Sequence, residues 1–330
     1  MPSATWFCRS IRSLALPGAI ILLISATAAM PTVAQMASPR SGEGIYSLLE
    51  RNGIQPTSAA VAEFKSLNSR LLTRNGGLRR GASYTLPSTG NVRVGLFGDE
   101  HAIVEQKSTE LQGVAYFLVS GHGGRDPGAI GTREGRSLYE DEYAYDIMLR
   151  IAKGLMEHSA EVHVMVQDDD GIRDERFLRP DRDEKNIDGS PVSSTRRVRE
   201  RVEHINRLAR KSDARIKRVV EIHVDARENK STQVDVHFYY TSPAGRRLST
   251  ILMDTMDEQY RIAQPGRGYN GKVSSRGLHT LVHSSPVATY VELGNIHQSR
   301  DQRRIIEPGN RQAIANWMVL GLRKELATIQ

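Results

Sequence analysis

Two histidines and two glutamates hold positions in this 330-residue chain at which side chains commonly bind metals. His122, His223 and Glu292 each stand where an apolar run ends, and Glu140 stands at the start of a helical pattern. Two imidazoles and a carboxylate with an open fourth position are a common catalytic zinc set. A second carboxylate beside such a set can accept the proton of an attacking water molecule. The pattern therefore predicts metal-assisted hydrolysis.

The segment around His122 indicates how that side chain is presented. The apolar run 116–119 is too short for a helix, and glycines follow it at once. Such a run predicts a strand that ends in a tight turn, and ligands of α/β proteins bind at the carboxyl ends of strands. The sequence contains no His-Glu-x-x-His motif, and its only cysteine is Cys8, near the amino terminus. The helical metalloprotease arrangement and cysteine zinc ligands are therefore both excluded.

Apolar runs of strand length alternate with helical patterns after residue 113, which predicts an α/β fold. The predicted strands are 116–119, 162–166, 216–224, 234–240 and 289–293. The predicted helices begin near Glu140 and span 196–211, 246–260 and 307–328.

A long polar segment, residues 167–195, interrupts this alternation, and we expect it to be a solvated surface insertion. Within it, Glu184–Gly189 begins like a calcium loop. Thr195 occupies the closing position that such loops need for a bidentate glutamate, which argues against calcium there. The charged side chains of the following helix, 196–211, are expected to form its solvent-exposed face.

The amino terminus has the composition of a secretory signal. Two arginines precede an apolar stretch, 14–29, that Pro17 and Gly18 interrupt, so it is a poor membrane span. We predict that residues 1–34 are a cleaved signal peptide, with a retained membrane anchor as the alternative. Cys8 would leave with it. The mature protein is then expected to be periplasmic or secreted, without disulfides and without stable membrane insertion.

The formal net charge of +7 favours an anionic partner. Nucleic acid is not expected, since no recognised nucleic-acid motif is present and the basic residues are mixed with acids. A polyanionic cell wall or a membrane surface fits this charge equally well.

Residues 44–88 carry the pattern of a small separate module. Its characteristic stretches are Ile45–Leu49, Leu67-Asn68, Leu78–Gly81 and Tyr84–Pro87. They resemble a LysM peptidoglycan-binding module, although the usual first strand is missing. The alternative is a small spacer or prodomain without a ligand. We expect 35–43 to be a loose leader, 89–113 a linker with one strand near 92–97, and 114–330 the main domain.

Five motifs follow one another in the main domain. They are Gly121-His-Gly-Gly-Arg-Asp-Pro-Gly-Ala-Ile-Gly131, the helix start at Glu140, Arg201-x-x-x-x-Asn206, Ile222-His223-Val-Asp-Ala226 and Val291-Glu-Leu-Gly294. Together they resemble the zinc-dependent N-acetylmuramoyl-L-alanine amidases of the amidase 3 type over essentially all of 114–328. Several of these stretches also look like the amidases of the Bacteroidetes type.

This resemblance implies a twisted sheet flanked by helices on both faces, with one zinc ion. It implies hydrolysis of the amide between the lactyl group of muramic acid and L-alanine in peptidoglycan. The zinc ligands would be His122, Glu140 and His223, and the general base would be Glu292. Glu142 is the alternative ligand at the helix start. A protein activator is left open as a further partner.

The sequence departs from the family pattern at two positions, where Ser120 replaces an aspartate and Asp225 replaces an asparagine. Both are expected beside the metal, and neither replaces a ligand. Two other functions are considered: a catalytically inactive wall-binding or regulatory protein of the same fold, and a zinc carboxypeptidase acting on stem peptides. The presence of all four site residues argues against the first, and the lack of further basic residues near His223 against the second.

Overall fold

The fold is given by a computed structural model, which describes residues 36–52, 54, 56, 58–87 and 92–329. The signal peptide predicted at 1–34 lies outside these residues. Within them, no helix combines the length and the apolar character needed to cross a membrane.

The first four elements form an N-terminal unit, residues 36–87, with a core of its own. They are β1 (Met36–Ala37), α1 (Ile45–Arg51), α2 (Ser58–Leu67) and β2 (Tyr84–Thr85). Strand β1 pairs antiparallel with β2, and Leu48 and Phe64 are fully buried between the helices and this pair. The prediction of a loose leader at 35–43 was therefore wrong for residues 36–37. Pairing with β2 satisfies the backbone hydrogen-bonding groups of β1. The local sequence of β1 gives no sign of this distant partner.

The later strands are β3 (Val92–Arg93), β4 (Ile103–Val104), β5 (Val114–Ser120), β6 (Ile130–Arg133), β7 (Arg136–Tyr139), β8 (Glu161–Val164), β9 (Val166–Gln167), β10 (Lys185–Asn186), β11 (Ile216–Asp225), β12 (His237–Tyr240), β13 (Val273–Ser275) and β14 (Val287–Asn295). The later helices are α3 (Glu140–Met156), α4 (Arg197–Lys211), α5 (Pro243–Ala263), α6 (His279–His283), α7 (Ser299–Ile306) and α8 (Pro308–Ala327).

Six strands form the central sheet in the order β13-β12-β14-β11-β5-β8. Strands β14, β11, β5 and β8 run parallel, and β12 joins β14 in the antiparallel sense. The middle of the sheet is fully buried, as expected for parallel strands covered on both faces. The carboxyl ends of β5, β11 and β14 therefore open at one edge.

Alternate residues of β5 pack on opposite faces of the sheet. Tyr116 and Leu118 belong to a core shared with α3, α5 and α8, whereas Phe117 and Val119 pack in a second core with α4 and α6. The predicted α/β sheet with helices on both faces is thus confirmed. The sequence did not predict α7, whose residues are mainly polar or charged.

The segment predicted as a linker, 89–113, is part of the main domain over its described residues. β3 and β4 form an antiparallel hairpin. Phe97, Val104 and Leu111 are buried in the same core as Leu118. Because these apolar residues are widely spaced in the sequence, only the long-range packing reveals them as core.

The polar segment 167–195, here called the insertion segment, is less solvated than predicted. β9 pairs with β10, Leu178 joins the main core, and Glu184 and Asn186 are buried. Glu184 Oε2 accepts a hydrogen bond of 2.8 Å from the backbone N–H of Gly124. The insertion segment therefore packs against the glycine-rich loop.

Candidate metal centre

Three adjacent parallel strands bring the predicted site residues to one edge of the sheet. His122 follows β5, while His223 and Glu292 lie near the ends of β11 and β14 and face each other in register. The backbone N–H of Gly121 donates to the carbonyl of Ile222 at 2.7 Å and extends the pairing beyond β5. The parallel ladder thus fixes the spacing between the two histidines.

The turn after β5 needs glycine at two positions. A Cβ atom on Gly121 would lie 2.2 Å from the His223 ring, so only a hydrogen fits there. Gly128 has a φ of +68°, and a Cβ atom on it would lie 2.6 Å from Glu140 Oε2. His122 itself has a φ of 57°, an uncommon conformation for a residue with a side chain. The loop therefore packs its backbone directly against the site.

Glu140, the first residue of α3, lies between the two histidines. Its Oε1 atom lies 2.8 Å from His223 Nδ1 and accepts a hydrogen bond of 3.0 Å from Val224 N–H. Its Oε2 atom lies 3.3 Å from His122 Nε2 and accepts a hydrogen bond of 2.7 Å from Ala129 N–H. Both oxygens are thus held in place by backbone donors.

A second carboxylate contacts the other nitrogen of each imidazole. Asp126 Oδ2 lies 3.0 Å from His122 Nδ1, and Glu221 Oε1 lies 3.2 Å from His223 Nε2. Carboxylates in these places are typical partners of metal-binding histidines, because they fix the tautomer and the ring orientation. They leave His122 Nε2 and His223 Nδ1 directed towards Glu140.

These three side chains fit a metal ion by their chemistry. Ligand atoms of His122, Glu140 and His223 lie within 4.8 Å of one another, and two imidazole nitrogens with one carboxylate are a donor set that zinc accepts. Burial alone would lower the pKa of His223, but its contacts with Glu140 and Glu221 raise that pKa to about 10. Burial would raise the pKa of Glu140, but the histidines lower it well below its usual range. Glu140 is therefore ionised, and His223 binds a proton readily, so the cluster as a whole attracts positive charge.

Glu292 lies beside this cluster and not within it. Its side chain is buried, and its Oε2 atom has no hydrogen-bond partner. Burial raises the pKa of Glu292 to about 8, with His223 opposing the shift and Glu140 adding to it. A buried carboxyl group with a free oxygen and a pKa near neutrality can both accept and return a proton.

Glu142, the alternative ligand at the helix start, lies elsewhere. Its Oε2 atom forms a 2.5 Å ion pair with Arg173 of the insertion segment. Of the two departures from the family pattern, Ser120 is buried at the end of β5, and Asp225 forms a 2.5 Å ion pair with Arg227.

Helix α4 was predicted to present its charged side chains to solvent, but two of its residues contact the loops around the site. Arg201 of α4 is buried, and its Nη2 atom donates to the backbone carbonyl of His122. Asn206 holds the chain after α6, with its side-chain amide donating to His283 O at 2.9 Å and its carbonyl accepting from Ser285 N–H at 2.7 Å.

Sequence reasoning missed Asp126 and Glu221 as partners of the histidines. Asp126 lies inside the glycine motif, and Glu221 precedes His223 by two residues on the same strand face. That period-two spacing is the signal that would have identified Glu221.

A mixed sheet whose parallel strands end at a His-Glu-His cluster and a buried glutamate defines a site suited to hydrolysis. Residues 117–324 match the Amidase_3 family, whose description is N-acetylmuramoyl-L-alanine amidase. The chain belongs to this family. No curated protein sequence matches the chain.

Solved structures with similar folds include three amidases. An N-acetylmuramoyl-L-alanine amidase from Clostridium difficile 630 is 18% identical, with a TM-score of 0.48, over 65% of this chain and 97% of its own. The CwlD amidase from Clostridioides difficile, in complex with the GerS lipoprotein, is 16% identical, with a TM-score of 0.48, over 65% of this chain and 98% of its own. AmiC2 of Nostoc punctiforme is 20% identical, with a TM-score of 0.47, over 67% of this chain and 99% of its own.

Proposed function

We propose that the chain is a zinc-dependent N-acetylmuramoyl-L-alanine amidase that hydrolyses the amide between the lactyl group of muramic acid and L-alanine in peptidoglycan. His122, Glu140 and His223 would hold the zinc ion, and Glu292 would be the general base. The observation that carries the proposal is the position of Glu140, whose two oxygens lie 2.8 Å from His223 Nδ1 and 3.3 Å from His122 Nε2. A cation at this point would meet two imidazoles and a carboxylate, with a position left for water.

The residues of the chain have separate roles in this reaction. A bound zinc ion would polarise the scissile carbonyl and lower the pKa of water to about 7. The free Oε2 atom of Glu292 accepts a proton from the water whose oxygen adds to the carbonyl carbon. When the C–N bond breaks, the same carboxyl group gives a proton to the nitrogen of L-alanine, so that the amine can leave.

The parts before the main domain would bring the enzyme to its substrate. Residues 1–34 would export the protein to the periplasm or the medium. The N-terminal unit would bind peptidoglycan as a LysM-like module, since β1 supplies the first strand that the sequence pattern lacked. The net charge of +7 favours contact with an anionic wall. The binding of a protein activator remains a prediction.

Mass spectrometry of purified peptidoglycan, digested with the mature protein, tests this proposal. We expect free stem peptides that begin with L-alanine, lost on treatment with a chelator and restored by zinc. Glu292→Gln should abolish this release while zinc remains bound.

Two other results would contradict the proposed amidase activity. Unchanged peptidoglycan that still sediments with the protein would favour a wall-binding protein of the same fold. Loss of only the C-terminal residue of the stem peptides would favour a carboxypeptidase.

A further inference from the structure

Two tyrosine side chains lead away from the candidate metal centre along the sheet. The ring of Tyr290 stacks on the ring of His223, with the centroids 4.3 Å apart and the planes inclined by 17°. Tyr290 lies two positions before Glu292 on β14, so both side chains leave the same face of the strand. Tyr239 pairs with Tyr290 in register on β12, and the centroids of the two rings are 6.1 Å apart. We call Tyr290 and Tyr239 the tyrosine row.

The guanidinium group of Arg276 lies at the far end of the tyrosine row. Its Cζ atom is 5.3 Å from the centroid of the Tyr239 ring, a cation-π contact. The backbone N–H of Arg276 donates to the carbonyl of Tyr240 at 3.0 Å, which fixes the residue beside β12. The side chain of Arg276 is exposed, and among the residues that the structure describes it forms no ion pair and donates no hydrogen bond. Its charged group is therefore held in place and remains open to a ligand.

Other arginines around the site have carboxylate partners within the protein. Arg197 of α4 pairs with Asp126, and Arg227 pairs with Asp225. Arg276 differs from them, because no carboxylate of the described residues pairs with it. It therefore offers a positive charge to an anion from outside the chain.

We propose that Arg276 binds a carboxylate of the stem peptide, and that the tyrosine row lines the path from the cleaved amide to this carboxylate. The inference rests on the proposed function and names a residue that determines its specificity. The lactyl group of muramic acid carries no charge while it is amidated, whereas the peptide carries at least its C-terminal carboxylate. A planar guanidinium matches a carboxylate with two parallel hydrogen bonds, so Arg276 suits the peptide side of the substrate.

The distances along the tyrosine row fit a short peptide. The steps from His223 to Tyr290, from there to Tyr239, and on to Arg276 are 4.3, 6.1 and 5.3 Å. An extended chain advances about 3.3–3.6 Å per residue, so each step is longer than one residue and shorter than two. The whole path then takes at most about five residues, and any bend makes it shorter. We therefore expect the carboxylate on the third or fourth residue of the peptide.

Four synthetic N-acetylmuramoyl peptides test this inference. All begin with L-alanine and have uncharged side chains; two are three residues long and two are four, and each length ends in either a carboxylate or a carboxamide. We measure kcat and KM for release of the peptide by the zinc-loaded mature protein. At one of the two lengths we expect the KM of the acid to be about three- to tenfold below that of the amide. The kcat values should be similar, because the contact is remote from the reacting bond.

Arg276→Gln should remove the preference for the acid and cleave the amides as the unchanged protein does. Unchanged cleavage of the amides would show that this variant is folded. Arg210→Gln is the matched control, because Arg210 is exposed in the last turn of α4 and has no ion pair within the described residues. It removes the same charge and should keep the preference. A preference that persists in Arg276→Gln, or that is absent from the unchanged protein at both lengths, would overturn the proposal.

Binding without cleavage separates this inference from the proposed function. Calorimetric titration of Glu292→Gln with the same four compounds, with and without Arg276→Gln, measures it. Tighter binding of an acid that depends on Arg276, with no release of peptide by the unchanged protein, would contradict the amidase activity and support the carboxylate site. Release of peptide with equal binding of acids and amides would contradict the carboxylate site alone.

Discussion

The Nε2 atom of His223 lies 3.2 Å from Glu221 Oε1, whereas the other ring nitrogen, Nδ1, contacts Glu140. Glu221 and His223 are two positions apart on β11, so both side chains leave the same face of the strand. A carboxylate in this position orients a metal-binding imidazole and strengthens it as a ligand. We therefore expect Glu221→Gln to weaken zinc binding by about 10- to 100-fold.

Competition with a chromophoric chelator measures this loss of zinc affinity. Glu203→Gln is a matched control, because Glu203 is exposed on α4 and pairs with Arg199. An unchanged zinc affinity in Glu221→Gln would mean that the contact with His223 does not support the metal.

Glu140→Gln and Glu142→Gln separate the two candidate ligands of α3. Glu140 lies between the histidines, whereas Glu142 is paired with Arg173. We expect Glu140→Gln to contain less than one equivalent of zinc after dialysis, and Glu142→Gln to retain one. Metal analysis of the dialysed proteins measures both, and the reverse result would make Glu142 the ligand.

The central sheet could be predicted because its strands are short segments rich in apolar and β-branched residues, bounded by glycines or polar segments. Runs such as 116–119 and 289–293 need no partner to be recognised. Helix α7 has no such signal, since its Asp301 and Arg304 are charged and yet buried. Arg304 is stabilised there by Asp235 and by the carbonyl of Leu293, which are distant in sequence. Contacts of this kind are determined by the tertiary fold and not by local pattern.

The candidate site likewise contains some residues that the sequence pattern predicts and others that only the tertiary fold reveals. His122, His223 and Glu292 were predicted together because parallel strands end at one edge. Asp126 and Glu184 are polar residues in loops, and a loop sequence does not tell which of its carboxylates turns inward. Only the packed structure brings Glu184 to Gly124.

Gly128→Ala tests how closely the glycine loop approaches the site. Gly128 and Gly135 both have positive φ values, +68° and +72°, so alanine at either costs about 1–2 kcal/mol from the backbone alone. At Gly128 the new Cβ would also lie 2.6 Å from Glu140 Oε2, whereas nothing lies within 4 Å at Gly135. We expect Gly128→Ala to lose zinc, and Gly135→Ala to keep it.

Urea unfolding and metal analysis of both alanine variants measure these effects. Equal loss of stability with full zinc content in both variants would show that the contact between Gly128 and Glu140 is not tight.

Glu292→Gln should change how the stability of the zinc-free protein depends on pH. In the unfolded chain this carboxyl has its ordinary pKa of 4.5, and burial raises the pKa to about 8 in the folded protein. Between these values the unfolded state releases its proton first, so ionisation of Glu292 lowers the free energy of unfolding as pH rises. Above pH 8 this loss is complete, at a few kcal/mol. Glutamine cannot ionise and escapes it.

Urea unfolding at pH 5 and at pH 9, in the presence of a chelator, compares the two proteins. We expect the free energy of unfolding of Glu292→Gln, relative to the unchanged protein, to be higher at pH 9 than at pH 5. A difference that is the same at both pH values would mean that Glu292 ionises in the folded state as easily as in water. The free oxygen of Glu292 would then be solvated, and the carboxyl group would be too acidic to return a proton efficiently to the leaving amine near neutral pH.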